Sequence, residues 1–196
     1  FENNHGVSAA RNTAISEIRQ KKDATVLFLD SDDLLKEDAI WQAAQFFEKE
    51  PEVNIASLKI LYFDAKEGEH RLNWKFEKCQ VVDIKENYNY PQFYIGGVFL
   101  RRSALQAIEF DERMNFWEDA LAINRCILGE GRYGLIRDGI YYYRKRPDES
   151  SLVDRAWTDK ERYTTFLDRG YRALMSYSRR KYHRVIPYVQ FLVAYH

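Results

Sequence analysis

A chain of 196 residues with 30 Lys and Arg against 30 Asp and Glu carries no formal net charge. It therefore lacks the global field with which a protein recruits nucleic acid, and any anion site must come from local clusters. The length suits one ordinary domain with a proper core, and Cys79 and Cys126 lack metal-type spacing, so a reduced, cytosolic protein is expected.

The chain opens on Phe1-Glu2-Asn3-Asn4-His5-Gly6, which reads as the interior of a loop, and closes on Phe191-Leu192-Val193-Ala194-Tyr195-His196, an apolar helical pattern without a stop signal. A segment of a longer chain is the expectation at both ends. Val7, Ala10, Ala14, Ile15 and Ile18 fall at helical spacing, with Ser8 placed to cap, and predict a helix over 7–20. Arg11 and Asn12 lie on its first turns. Ala24-Thr25-Val26-Leu27-Phe28-Leu29 then reads as a fully buried central strand. It runs directly into Asp30-Ser31-Asp32-Asp33, carboxylates at the strand end where open α/β sheets place their ligands. Oxygen donors so crowded suit Mg²⁺ or Mn²⁺, although Asp32 or Asp33 could equally cap the next helix. That helix carries Ala39, Ile40, Ala43, Ala44 and Phe47 as its apolar face and should stop before Pro51.

Residues 53–63 predict a strand, and the turn Lys66-Glu67-Gly68-Glu69 returns it into a second strand over 71–76. Residues 77–92 carry no clear pattern. Phe93 to Leu100 is a strand interrupted by Gly96-Gly97, which marks either a bulge or a close backbone approach. Ser103 is placed to cap a short helix, and Asn115-Phe116-Trp117-Glu118 resembles a capping box ahead of a helix over 119–128 that Gly129 or Gly131 ends. Strands over 133–136 and 140–143 lead into Arg144-Lys145-Arg146-Pro147-Asp148-Glu149-Ser150-Ser151, which is either a phosphate-binding loop or a solvated turn. From Trp157 onward the pattern is helical, with a break near Pro187. Arg179-Arg180-Lys181 beside Tyr177 and Tyr182 offers a charged helix face or a peripheral membrane contact.

Three features thus stand in order: an acidic cluster after a strand, an acidic pair opening a helix, and a basic-aromatic loop after a late strand. A glycosyl transfer needs these parts, namely charge neutralisation of a diphosphate leaving group, a carboxylate base for an acceptor hydroxyl, and cations over the phosphates. Asp119, at a helix N-terminus, should be held ionised by the dipole and the free amides, which suits a base.

Asn4-His5-Gly6-Val7-Ser8-Ala9-Ala10-Arg11-Asn12, Phe28-Leu29-Asp30-Ser31-Asp32-Asp33, Gly96-Gly97 with Arg101-Arg102-Ser103, Phe110-Asp111-Glu112, Trp117-Glu118-Asp119, Tyr141-Tyr142-Tyr143-Arg144 and Ser150-Ser151-Leu152 follow one another as in family 2 glycosyltransferases, whose nucleotide-sugar domain this chain resembles from its second half on. The resemblance implies an α/β fold with a GT-A-like mixed sheet flanked by helices, incomplete at its N-terminus because the family's first nucleotide-gripping strands are absent, followed by a C-terminal helical segment. The implied division is a partial GT-A domain over 1–155 and a helical tail over 156–196. It also implies an inverting, metal-dependent transfer in bacterial surface-polymer synthesis of the teichoic-acid or capsule type, with Mn²⁺ or Mg²⁺ as cofactor. The donor would be a UDP- or CDP-linked sugar and the acceptor a saccharide or polyol phosphate, in the cytoplasm at the inner membrane face, with an oligomer as a further expectation. Residue by residue, Asp32 and Asp30 would bind the metal and Asp33 would support them. Asp119 would be the base, and Glu118 its acceptor-orienting neighbour. Arg11, Asp30, Arg144, Arg146 and Ser150 would contact the donor, and Gly96, Gly97 and Trp117 would line the sugar or acceptor pocket.

Two rival readings remain at this level. One is a Mg²⁺-dependent nucleotidyltransferase, which releases pyrophosphate; the other is a catalytically idle polysaccharide-binding or scaffold module.

Overall fold

The computed structural model describes residues 5–21, 24–146, 159–181 and 183–195. Within them the elements run α1 (Val7–Ile18), β1 (Val26–Leu27), β2 (Leu34–Leu35), α2 (Ala39–Lys49), β3 (Ile55–Asp64), β4 (Gly68–Glu69), a 3₁₀ turn (Asn73–Glu77), β5 (Val81–Asp83), β6 (Val98–Leu100), α3 (Arg102–Ala107), α4 (Glu118–Glu130), β7 (Arg132–Lys145), α5 (Lys160–Lys181) and α6 (Ile186–Tyr195).

The strands form one mixed sheet in the order β1-β6-β3-β7-β2, with β4 added to β3 and β5 to β7. Its spine is the parallel pair β3–β7, in register from Ala56↔Gly134 to Asp64↔Lys145. The other paired strands run antiparallel. Side chains alternate across the spine, so each face buries its own core. One face packs Ile55, Tyr133 and Leu135 against Ile15 of α1, Leu105 of α3, Ile123 and Ile127 of α4, and Leu174, Tyr188 and Leu192 of α5 and α6. The opposite face packs Ala56, Leu58, Ile60, Ile136 and Tyr141 under Ala39, Ala43, Phe46 and Phe47 of α2. Gly134 lets α2 approach this closely, because a Cβ there would lie 2.2 Å from Phe46 Cζ. α5 and α6 thus share the larger core. No helix of the described residues is long and apolar enough to cross a membrane.

Several local expectations change. Among the described residues β1 is not a buried central strand: it ends the sheet order, pairs only with β6 apart from a bridge at Phe28↔Gly96, and leaves Val26, Leu27 and Phe28 half-buried and Leu29 exposed. Ile40 and Ala44 are exposed on α2, because Phe46 and Phe47 turn its buried face toward Ala39 and Ala43. The predicted strand over 71–76 contains the 3₁₀ turn instead. There Asn73 brackets β3 with its side chain, accepting from the Ile60 amide and donating to the Ile60 carbonyl, which takes the place of a returning strand. β7 is a single strand, with an irregularity opposite Leu58/Lys59 where two strands were expected. Neither Ser8 nor Ser103 caps its helix: Gly6 and Arg101 hold the N-cap positions. Pro187 falls at the second position of α6, where its missing N–H costs nothing.

Candidate active site

The site gathers where α1, the segment after β1, the head of α4 and the end of β7 converge. Arg11 is its centre. Its guanidinium donates to Asp119 Oδ1 at 2.5 Å and to Asp30 Oδ1 at 3.1 Å, and lies 5.2 Å over the Phe110 ring. The arginine side chain is only 10% exposed, while Asp119 is partly and Asp30 largely open to solvent. Neighbouring Asn12 fixes the approach by exchanging hydrogen bonds with the Phe110 backbone, donating to its carbonyl and accepting from its amide. One turn of α1 therefore ties the acidic segment after β1 to the acidic head of α4.

That head is set by Trp117, which holds the left-handed conformation (φ 66°) at the N-cap of α4. For a residue with a Cβ this costs about 1–2 kcal/mol, and the ring compensates by burial against Gly170 of α5, where any Cβ would meet the indole. The expected capping box is absent, since no side chain caps this helix end. Glu118 and Asp119 follow directly as its first turn. Burial pushes the Asp119 carboxyl up to about 7, Glu118 and Asp30 add to the rise, and Arg11 and a hydrogen bond from the Ile95 backbone oppose it. Burial likewise raises Glu118. The helix end was expected to keep Asp119 strongly acidic; loss of water outweighs it. A carboxylate titrating near neutrality and held by one cation is suited to accepting a proton.

The three aspartates after β1 separate into distinct environments. Asp30 faces Arg11, with its amide donating to Tyr141 Oη at 3.4 Å. Asp32 pairs with Arg146 at 2.6 Å. Asp33 is buried, accepting from Tyr141 Oη at 2.6 Å and from the Arg144 amide at 2.8 Å, so it pins the segment to β7. Burial raises its pKa against those two hydrogen bonds. The Arg144 side chain turns to Asp64 at 3.5 Å and over Phe63. Gly96 and Gly97 lie against Tyr141: a Cβ on Gly96 would sit 2.9 Å from its hydroxyl oxygen, and one on Gly97 (φ 72°) 2.8 Å from its Cβ. The double glycine therefore makes room for the tyrosine that holds Asp30 and Asp33. Ser150, with the rest of its loop, lies outside the described residues.

The structure thus brings together Arg11, Asp30, Asp32, Asp33, Glu118, Asp119 and Arg146, with Gly96 and Gly97 beneath Tyr141. Sequence reasoning missed two features. Tyr141 was one of three consecutive tyrosines with nothing to single it out, and Arg11 was assigned to the donor, whereas its bond to Asp119 joins positions 108 residues apart.

The family description "Glycosyl transferase family 2" matches residues 1–109. The chain belongs to this family. It is 45% identical over 98% of its length to the minor teichoic acid biosynthesis protein GgaA of Bacillus subtilis (strain 168), and 33% identical over 80% to GgaB of the same organism. It spans 44% and 17% of those two proteins. Among solved structures, S. aureus TarS 1-349 superimposes with a TM-score of 0.58 at 19% identity, over 89% of this chain and 51% of that one. The same protein in complex with UDP-GlcNAc gives 0.55 at 20%, over 74% and 40%. The mixed sheet flanked by helices is accordingly the GT-A arrangement expected of this glycosyltransferase family.

Proposed function

We propose that the protein of which this chain forms part transfers a sugar from a UDP-linked donor to a hydroxyl of a teichoic-acid-type acceptor, with inversion and with Asp119 as base. The observation that carries this reading is Asp119 at the head of α4, half-buried and bonded to an arginine that also holds Asp30. The likeness to GgaA and GgaB supports the polymer class, and the TarS complexes with UDP-GlcNAc and UDP support the nucleotide.

In this reading Asp119 accepts the acceptor hydroxyl's proton as that oxygen attacks the anomeric carbon opposite the diphosphate. The bond from that carbon to the diphosphate oxygen breaks, and the nucleoside diphosphate leaves with the electron pair. Arg11 keeps the carboxylate aimed and ionised until the hydroxyl arrives, and Glu118 orients the acceptor. Arg144 and Arg146 meet the leaving phosphates, with Arg146 exchanging Asp32 for them.

Asp30 and Asp32 are the residues that would hold Mn²⁺ or Mg²⁺. Their side chains are 44% and 31% exposed and offer hard oxygen donors. Mg²⁺ and its like are commonly held by one or two carboxylates together with substrate phosphates. When bound, such an ion supplies charge neutralisation to the leaving diphosphate.

The test is a product assay on the intact protein with UDP-sugars, with and without Mn²⁺ or Mg²⁺. The expected result is metal-dependent release of UDP. Release of pyrophosphate from a nucleoside triphosphate would favour a nucleotidyltransferase, and silence with every donor and metal would leave a binding module.

A further inference from the structure

Along the α2 face of β7, Tyr141, Tyr143 and Lys145 succeed one another over about 13 Å, ending beside Arg146, which pairs with Asp32. Beyond Ile60 this face carries half-exposed aromatic and basic side chains, Tyr62, Tyr143 and Lys145. Tyr62 of β3 pairs in register with Tyr143, their rings 6.1 Å apart edge to face. His70 packs edge-on against Tyr62 at 5.6 Å and against Tyr94 at 5.0 Å.

Two cations stand over these rings and a third over Tyr195 of α6. Lys145 Nζ lies 5.0 Å from the Tyr143 centroid and 5.5 Å from that of Tyr62, and Lys66 Nζ lies 5.2 Å from Tyr62. The Arg71 guanidinium lies 4.9 Å over Tyr195. Among the described residues no carboxylate comes within ion-pair distance of Lys66, Arg71 or Lys145; the acidic members of this end are Asp64, which pairs with Arg144, and the exposed Glu67 and Glu69 of the β4 turn. The local field is positive: after burial, the influences that depress His70 are Arg71, Lys75, Lys145 and Lys66.

The geometry points to this surface as the docking site for a phosphodiester-linked acceptor polymer, whose terminal hydroxyl reaches Asp119 while its preceding repeats lie over Tyr143, Tyr62 and Lys145. Aromatic faces take sugar or polyol units and cations take the phosphates between them, a pairing that an uncharged glycan would not need. A nucleotide donor has its own cation at Arg146, paired with Asp32. The inference rests on the glycosyl-transfer reading and names where its acceptor binds.

The experiment is calorimetric binding of a synthetic glycerol phosphate oligomer to the intact protein, beside an uncharged glycan of equal length, UDP, and phosphatidylglycerol vesicles. The oligomer should bind, more weakly as salt rises, and the uncharged glycan should not. K66E/R71E, both on exposed side chains, should weaken oligomer binding at least tenfold, and K66Q/R71Q by less, with UDP affinity and the circular dichroism spectrum unchanged. The assignment is overturned by oligomer affinity indifferent to these changes, by displacement of the oligomer by UDP, or by binding to vesicles but not to the oligomer. Because binding is read without turnover, a protein that binds the oligomer but transfers no sugar would count against the enzymatic reading alone.

Discussion

At the scale of single residues, the site is a chain of charges in which Arg11 decides the state of Asp119. Burial raises the Asp119 pKa to about 7 while Arg11 pulls it down. A base works only when deprotonated, so kcat/KM should climb with pH through about 7 and level off above it. Arg11→Met removes the opposing cation, and the midpoint of that climb should move to higher pH. The pH–rate profiles of the two proteins check this, and an unshifted midpoint would separate Arg11 from the base. The same substitution strands two carboxylates and should cost about 1–3 kcal/mol of stability, read by denaturant unfolding. Tyr141→Phe tests the neighbouring knot. It removes the hydroxyl that Asp33 accepts from at 2.6 Å, leaves a buried carboxylate with one donor, and should also cost about 1–3 kcal/mol. The acidic pair and the aspartate cluster were legible in the sequence because charge at element boundaries is a local signal. The Arg11–Asp119 and Tyr141–Asp33 bonds were not, because each spans 108 residues and depends on how the elements pack.

At the scale of elements, α1, α2, α4 and the late helices could be read because apolar spacing and terminal residues act within one turn or two. β3 could be read because it is long and apolar. The errors fell where tertiary contact replaced local preference. Residues 71–76 alternate like a strand, yet the Asn73 side chain takes the Ile60 backbone bonds that a returning strand would have used. The Asn115–Glu118 segment spells a capping box, yet the N-cap falls on Trp117 because its indole packs on Gly170. Gly97 gives an element-level prediction. Its φ of 72° and the Tyr141 ring beneath it mean that Gly97→Ala strains the entry to β6 and should destabilise by about 1–3 kcal/mol in denaturant unfolding. A loss under about 0.5 kcal/mol would show that the contact yields.

At the scale of the whole molecule, the fold wraps two cores around the β3–β7 pair and leaves its chemistry where α1 and α4 point their N-termini. Two basic side chains, half-buried His70 and buried Lys75, give it a pH signature. Burial, helped by nearby cations, lowers the His70 pKa to about 4 from 6.5, so between those values the unfolded chain binds the extra proton and stability falls as pH drops. Lys75 is fully buried beneath Tyr133, donating to Pro91 O and Gln92 Oε1, and burial lowers its pKa to about 7 from 10.5. Stability should therefore rise with pH from about 7 toward 10.5, a slope that thermal melts should show and that Lys75→Met should flatten. The central claim concerns Asp119, and one measurement bears on it most directly: UDP release by the intact protein and by its Asp119→Asn variant, with UDP-sugar affinity determined on both. The account predicts donor affinity within about twofold and turnover reduced by roughly 10²–10⁴. An Asp119→Asn protein that binds donor and turns over at the wild-type rate would contradict it.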